Sequence, residues 1–145
     1  MPVKPIPDGY HTITPYLIVS GCAKLIDFTK QAFDATEIER MQSPEGRIMH
    51  AEVRIGDSVI MMAEASDTFA PMPTSLYLYV ADTDATYKKA MNAGATSTME
   101  PANQFYGDRN AGVKDASGNM WWIATHVEDV PPDEMAKRAE SFRRK

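Results

Sequence analysis

The sequence predicts an α+β fold in which two tandem βαβββ modules form a cupped mixed β-sheet, with the helices on its outer face. Three observations support this prediction. Strand-like and helix-like segments occur twice in the order βαβββ, parts of the two halves match at one constant spacing, and polar and apolar residues alternate along the strands. The 145 residues suit one structural domain of ordinary size.

The internal repeat sets the domain organisation. TPYLIV from Thr14 matches SLYLYV from Ser75, and SVIMMA from Ser58 matches NMWWIA from Asn119, so both pairs lie 61 residues apart (75 − 14 and 119 − 58). One spacing at both ends of a unit indicates duplication. The predicted segments are an N-terminal arm at 1–10, a first module at 11–65, a second module at 73–127 and a C-terminal helix at 131–145.

In the first module, residues 11–20 favour a strand, and Pro15 places that strand at a sheet edge or a bulge because proline lacks an N–H group. Apolar residues at helical spacing predict a helix over 22–34, and a short strand follows over 36–42. Two β-rich runs joined by Gly56 and Asp57 predict a hairpin.

In the second module, SLYLYVA predicts a strand, and the helix after it is capped by Asp82 or Thr83 and stopped by Gly94. The remaining predicted elements are a short strand over 96–100, a loop over 101–110, a hairpin around 115–119 and a helix over about 133–143. The apolar stripe of that last helix docks either on the protein's own surface or on a second copy in a dimer.

Composition excludes several classes of function. The net charge is −5, and the basic cluster Arg143-Arg144-Lys145 stands at the chain end, which argues against a nucleic-acid partner. No apolar run is long enough to span a membrane, and residues 1–12 lack the apolar stretch of a secretory signal. The single cysteine, Cys22, forms no internal disulfide, so we expect a reducing, cytoplasmic location.

The alternation along the strands indicates which side chains are free to meet a ligand. Opposite the apolar positions stand Tyr16 in the first strand, His50 in the third, and Tyr77 in the matching strand of the second module. Neighbouring strand residues point to opposite faces, so Trp121 and Trp122 cannot both lie in a conventional core.

Two βαβββ units with this pattern resemble the vicinal oxygen chelate superfamily, which includes glyoxalase I, bleomycin-resistance proteins and extradiol dioxygenases. The resemblance covers about residues 11–127 and depends on ITPYLIVSGCAKLIDFTKQAFDA and DASGNMWWIATH. Within the superfamily, GRIMHAEVRIGDSVIMMAE, FYGDR and IATHVEDV resemble the PhnB-like proteins. The resemblance implies a small-molecule site between the modules and a homodimer.

Metal-using members of that superfamily take one ligand from the first and one from the last strand of each module. Those places fall here on Thr14, Met61, Ser75 and Trp122. An indole has no lone pair to give, a thioether is a poor ligand for zinc, nickel or iron(II), and the two hydroxyls are weak. We therefore expect no metal and no other cofactor, with Trp122 either an aromatic wall for the ligand or a plug of the cavity floor.

The predicted ligand-binding residues are Thr14, Tyr16, His50, Met61, Ser75, Tyr77, Tyr106, Arg109 and Trp122. Arg109, in the predicted loop, either holds a ligand carboxylate or belongs to ordinary turn chemistry. A displaced metal site is an alternative, and would combine His50 with His11, Glu64 and His126. Cys22, at a helix N-terminus, is either activated by a lowered pKa or simply buried.

Two classes of function remain open on the sequence. The first is a metal-free protein that binds a small aromatic or cationic molecule, as bleomycin-resistance proteins do. The second is a glyoxalase-type lyase or isomerase that acts on a carbonyl compound, with His50, tyrosine and arginine in place of a metal.

Overall fold

The computed structural model describes residues 2–144; Met1 and Lys145, the outer limits of the predicted arm and of the predicted C-terminal segment, lie outside the described residues. The first module contains β1 (Tyr16–Val19), α1 (Cys22–Phe33), β2 (Thr36–Gln42), β3 (Ile48–Ile55) and β4 (Ser58–Glu64). The second module contains β5 (Ser75–Tyr79), α2 (Thr83–Asn92), β6 (Thr96–Asn103), β7 (Asp108–Lys114) and β8 (Met120–His126), and α3 (Pro132–Arg143) follows it.

The predicted mixed sheet is present as two four-stranded sheets. Their strand orders are β1-β4-β3-β2 and β5-β8-β7-β6. The pairs β1–β4 and β5–β8 are parallel, and the other neighbouring pairs are antiparallel. The free edge of β1 is occupied by the linker, where the N–H of Met72 donates to the carbonyl of Ile18 at 3.0 Å. This confirms the α+β class and the edge position predicted for β1.

The internal duplication is visible in the strand register. Tyr16 pairs with Met61 across β1 and β4, and Tyr77 pairs with Trp122 across β5 and β8. Both members of the second pair lie 61 residues after their counterparts. The same positions therefore meet in both sheets, as the repeat predicts.

Helix α1 begins without a capping side chain of its own. Gly21 precedes it with φ 89°, a backbone conformation that favours glycine. The cap comes from β4 instead, because the Glu64 carboxylate accepts from the N–H groups of Gly21 at 3.0 Å and Cys22 at 2.9 Å. A carboxylate at this end also interacts favourably with the helix dipole.

Helix α2 begins and ends as the sequence predicts. The Asp82 carboxylate accepts from the N–H of Ala85 at 3.1 Å, which decides for Asp82 over Thr83 as the cap. Gly94, with φ 103°, follows the last turn.

One core cluster joins the two modules. Helices α1 and α2 pack against each other, and α1 also reaches the second sheet through Trp121. The ring of Trp121 lies 4.9 Å from Phe33 and 6.3 Å from Phe28 between centroids, and its indole N–H donates to Asp115 at 2.7 Å. Trp121 is fully buried, so of the two adjacent tryptophans it is the one that belongs to the core.

Three boundaries differ from the prediction. The first strand begins only at Tyr16, after Pro15, which has no N–H for a sheet hydrogen bond. The loop predicted over 101–110 is shorter, because β6 continues through Pro101 to Asn103 and β7 begins at Asp108. Pro101 is tolerated in β6 because this strand is at the sheet edge, where register shifts also interrupt the pairing.

Helix α3 docks on the chain's own surface. Arg138 donates to the carbonyl of Phe105 at 3.1 Å and to the carboxylate of Glu128 at 2.8 Å, and Phe142 packs on the ring of Phe105 at 5.2 Å. No helix among residues 2–144 has the length and apolar character that a membrane span requires.

The two adjacent tryptophans provide a stability test. Trp121→Ala removes a buried side chain and leaves Asp115 without its indole donor, so we expect the free energy of unfolding to fall by about 3–5 kcal/mol. Trp122→Ala, on the other face of the same strand, is the matched control and should cost clearly less. Urea denaturation of both variants measures the difference, and equal losses would contradict this account of the core.

Candidate functional site

Each sheet has one face that is turned away from the helices. In the first sheet this face carries Tyr16, Ile18, His50, Glu52, Met61 and Ala63, which we call the first open face. In the second sheet it carries Ser75, Tyr77, Tyr79, Asp108, Asn110 and Trp122, which we call the second open face. The predicted ligand residues thus fall mainly on these two surfaces.

The first open face is organised around Glu52, which is 5% exposed. Its carboxylate accepts from the Tyr10 hydroxyl of the N-terminal arm and lies 2.8 Å from His50 Nε2. Burial acts to raise the pKa of Glu52, but the hydrogen bonds with Tyr10 and His50 outweigh it and leave the pKa below its usual value. The other nitrogen of His50 lies 3.4 Å from the Tyr16 hydroxyl.

A cavity of about 890 Å³ adjoins the first open face. Its lining is mainly apolar and includes Tyr16, Ile18 and Ala63 from the strands, Met49 from β3 and Phe69 from the linker. Arg47 borders it and donates to the carbonyl of Ala65 at 2.6 Å. This volume is in the range that small organic ligands occupy.

The second open face is organised around Asp108, which is 4% exposed. The Tyr77 and Tyr79 hydroxyls donate to its Oδ2 at 2.7 and 3.0 Å, and His126 Nδ1 lies 2.9 Å from its Oδ1. Burial acts to raise the pKa of Asp108, but these three hydrogen bonds outweigh it, so the pKa lies below its usual value. Asp108 is therefore a buried, ionised carboxylate.

Asn110 extends this cluster toward the turn at 104–107. Its Nδ2 donates to the Tyr77 hydroxyl at 3.1 Å and to the Tyr106 hydroxyl at 2.7 Å. Burial, followed by the bond to Asp108, raises the pKa of Tyr77, so its hydroxyl keeps its proton. Within residues 2–144, Asn110 Oδ1 is the one buried side-chain oxygen or nitrogen that has no hydrogen-bond partner.

Trp122 is partly exposed on the second open face, and its indole N–H donates to the Ser75 hydroxyl at 3.2 Å. It has room because Gly112 lies opposite in β7; a Cβ added there would be only 3.2 Å from the indole ring and 2.6 Å from Thr98. Trp122 and Ser75 thus bond to each other, while Met61 lies in the other sheet and Thr14 just before β1.

Arg109 does not belong to either open face. It is in β7 rather than a loop, and its register partner is Thr125, on the helix side of the sheet. Its guanidinium makes two bonds to the Asp84 carboxylate, at 2.8 and 3.0 Å. The loop position predicted for Arg109 is therefore wrong, because strand alternation turns its side chain toward α2, where it pairs with Asp84. Tyr106 stands in the turn as predicted and is 37% exposed.

The predicted alternative metal set is not assembled. Glu64 caps α1 on the helix side, and His126 lies in the second sheet between Asp108 and Asp129, so neither reaches His50. Among the described residues, the candidate group for a metal is Glu39, His50 and Glu52, whose ligand atoms lie within 4.8 Å of one another. Imidazole and carboxylate are suitable donors, although His50 and Glu52 already bond to each other.

Cys22 is buried, and its surroundings do not activate its thiol. Burial, followed by the nearby Glu64 carboxylate, raises the pKa of its thiol to about 11. The helix N-terminus on which an activated thiol would depend is occupied by the carboxylate of Glu64. This decides between the two readings that the sequence leaves open.

Sequence reasoning missed Asp108 and Asn110 as members of the site. Both fall in the segment predicted as a loop, and a Gly-Asp pair is common turn chemistry. DRNAGVK begins with three polar residues and shows no alternation, so the sequence carries no local signal that puts Asp108 and Asn110 on one face of a strand.

Comparison with known proteins identifies the class. Residues 9–123 match the family model of the glyoxalase/bleomycin resistance protein/dioxygenase superfamily, so the chain belongs to this superfamily. Uncharacterized proteins of Mycobacterium bovis and Mycobacterium tuberculosis are 33% identical over 134 residues, which is 85% of this chain and 88% and 79% of theirs.

Solved structures show the same fold. TioX from Micromonospora superposes with a TM-score of 0.68 at 20% identity, covering 81% of this chain and 99% of its own. TnmS3, an antibiotic-binding protein from Streptomyces, gives a TM-score of 0.64 at 22% identity, covering 80% and 95%. A PhnB protein from Bacillus cereus gives 0.63 at 16% identity, covering 79% and 99%.

The His126 imidazole supplies a pH test. Hydrogen bonds with Asp108 and then Asp129 raise its pKa above the ordinary 6.5. The resulting stabilisation is complete below the unfolded pKa and is lost as the pH rises through the higher folded pKa. We therefore expect His126→Gln to lower the free energy of unfolding more at about pH 6 than at about pH 9. Urea denaturation at both pH values measures this, and an equal loss would show that the ring contributes no charge-dependent stability.

Proposed function

We propose that this protein binds a small molecule that has an aromatic part, against its open faces and without a divalent metal at the positions used by metal-dependent members. The observation that carries the proposal is the hydrogen bond between the Trp122 indole and the Ser75 hydroxyl. These are two of the four positions where metal-using members hold their metal ligands, and here they bond to each other and present an indole. An indole wall suits stacking on a planar ligand. The antibiotic-binding protein TnmS3 has the same fold, which is consistent with this type of function.

The donor chemistry of the inherited positions does not fit a metal. Met61 offers only a thioether, and the Ser75 hydroxyl already accepts a hydrogen bond from Trp122. A metal at these positions therefore has no part in the proposed function. If this protein does hold an ion, the group Glu39, His50 and Glu52 is the place where suitable donors meet.

We further propose a homodimer in which the first open face of one copy and the second open face of the other form one cavity. Both faces expose rings, since Tyr16 is 47% and its counterpart Tyr77 42% accessible. Among residues 2–144, the hydrogen bonds and ion pairs between the modules lie outside these two faces, such as Lys89 with Asp34 and Ser117 with Ser20. Exposed apolar patches on two surfaces favour a partner that covers them.

We also propose that this protein belongs to a PhnB-like subgroup, is located in the cytoplasm and has no nucleic-acid partner. The acidic pI of about 5.1 and the free Cys22 are consistent with these points.

A glyoxalase-type lyase or isomerase is the second candidate function. The observation in its favour is the Asp108–His126 pair, in which a buried carboxylate orients an imidazole whose side chain is half exposed. Such an imidazole is suited to moving a proton to or from a substrate. Turnover of a carbonyl substrate that is abolished by His126→Gln would favour this candidate over binding alone.

Ligand binding is tested by titration with benzyl alcohol, a neutral aromatic probe. Binding is measured through the NMR signal of the Trp122 indole N–H. We expect a saturable shift of this signal and no such shift of the buried Trp121 indole. Trp122→Ala lacks the reporter, so its binding is measured by calorimetric titration, where we expect it to be lost. Added zinc or nickel should leave the titration unchanged. Stoichiometric metal that survives dialysis, and is required for the shift, would contradict the metal-free part of the proposal.

The two-copy cavity is tested with the repeat-related variants Tyr16→Arg and Tyr77→Arg. Each blocks one open face, so each variant alone should lose binding of benzyl alcohol. A co-expressed heterodimer has one cavity with both faces intact, so we expect about half of the wild-type binding capacity. No recovery in a confirmed heterodimer would mean that the cavity lies within one chain, and a monomer by ultracentrifugation would exclude the dimer.

A further inference from the structure

The second open face holds a buried negative charge, and among the described residues its one basic neighbour is His126. Among residues 2–144, no lysine or arginine lies within 4.0 Å of the Asp108 carboxylate; its partners are two neutral hydroxyls and His126. His126 also lies 2.6 Å from Asp129, a second carboxylate. Even with the imidazole protonated, Asp108, His126 and Asp129 together carry one net negative charge.

An unused hydrogen-bond acceptor lies next to this charge. Asn110 is 2% exposed and its Oδ1 has no partner, whereas its Nδ2 has two. The orientation of the amide follows from its neighbours, since the Tyr77 hydroxyl gives its proton to Asp108 and must accept from Nδ2. An unpaired buried acceptor is costly, so a ligand that donates an N–H group here gains that energy.

Aromatic rings border the same place. Tyr77, Tyr79 and Tyr106 are 42%, 66% and 37% exposed, and Trp122 pairs with Tyr77 in the neighbouring strand. The Tyr106 hydroxyl also accepts from the Asn110 amide nitrogen, so this exposed ring lies beside that amide. Exposed ring faces around a negative charge attract cations.

We propose that this cluster binds a protonated amine carried on an aromatic body. The ammonium N–H donates to Asn110 Oδ1 beside the negative charge of Asp108, and the aromatic body lies against Tyr77 and Trp122. This inference rests on the proposed function, because it names the ligand class of the same open face. A quaternary ammonium lacks the N–H donor, and a carboxylate is repelled by Asp108.

Four probes of one shape test the inference by titration of the Trp122 indole signal. They are benzylamine, which is protonated at neutral pH, benzyl alcohol, benzyltrimethylammonium and phenylacetate. We expect benzylamine to bind roughly tenfold more tightly than benzyl alcohol, as one charge-assisted hydrogen bond allows. The quaternary ion should bind more weakly than benzylamine, and phenylacetate most weakly of all.

Variants locate the preference within the cluster. Asp108→Asn keeps the size of the side chain but removes its charge, and Asn110→Leu removes the acceptor. In both we expect the roughly tenfold preference for the amine over the alcohol to fall to about one. Asp84→Asn, on α2 and paired with Arg109, removes the same charge on the helix side and should leave the preference unchanged.

The outcomes separate this inference from the proposed function. Equal affinity of the wild-type protein for benzylamine and benzyl alcohol would overturn the inference and leave the proposed function standing. A preference that survives in folded Asp108→Asn would also overturn it. If a variant fails to fold, the wild-type ranking of amine over quaternary ion decides on its own. No shift of Trp122 with any probe would overturn the proposed function and this inference with it.

Discussion

The contact of Trp121 with the first module is the interaction on which the arrangement of this protein depends. Its ring lies against Phe28 and Phe33 of α1, and its indole N–H is bonded to Asp115. Asp115 in turn accepts from the backbone of Ser117 and Asn119, so the same carboxylate fixes the turn before β8. One buried side chain therefore ties the core of one module to the last hairpin of the other.

Because β8 is a strand, fixing Trp121 in the core fixes Trp122 on the opposite face. The other residues of the second open face follow from the same alternation, across Tyr77 in β5 and Asn110 in β7. The duplication then explains why the two open faces are related yet chemically different. His50, beside Tyr16 in the first sheet, corresponds to Asn110, beside Tyr77 in the second. The buried Glu52 corresponds to Gly112, whose missing side chain leaves room for the Trp122 indole.

Much of this architecture could be predicted from the chain alone. The 61-residue spacing, the turn residues Gly56 and Asp57 and the cap Asp82 are local signals, and the structure agrees with each of them. The prediction put Arg109 in a loop because a Gly-Asp pair is typical of loops. It therefore gave no indication of which face of β7 the Arg109 side chain would take. The capping of α1 by Glu64 was also invisible, since the two ends of that contact are 42 residues apart.

The sequence by itself determined the repeat, the class of fold and the aromatic character of the open faces, because periodicity and composition are properties of neighbouring residues. Only the tertiary structure decided that Asp108, His126 and two tyrosines meet around one buried carboxylate. It alone left Asn110 Oδ1 without a partner beside them. These facts depend on which strands pair and in which register, and such long-range pairing is set by packing of the whole chain rather than by any local segment.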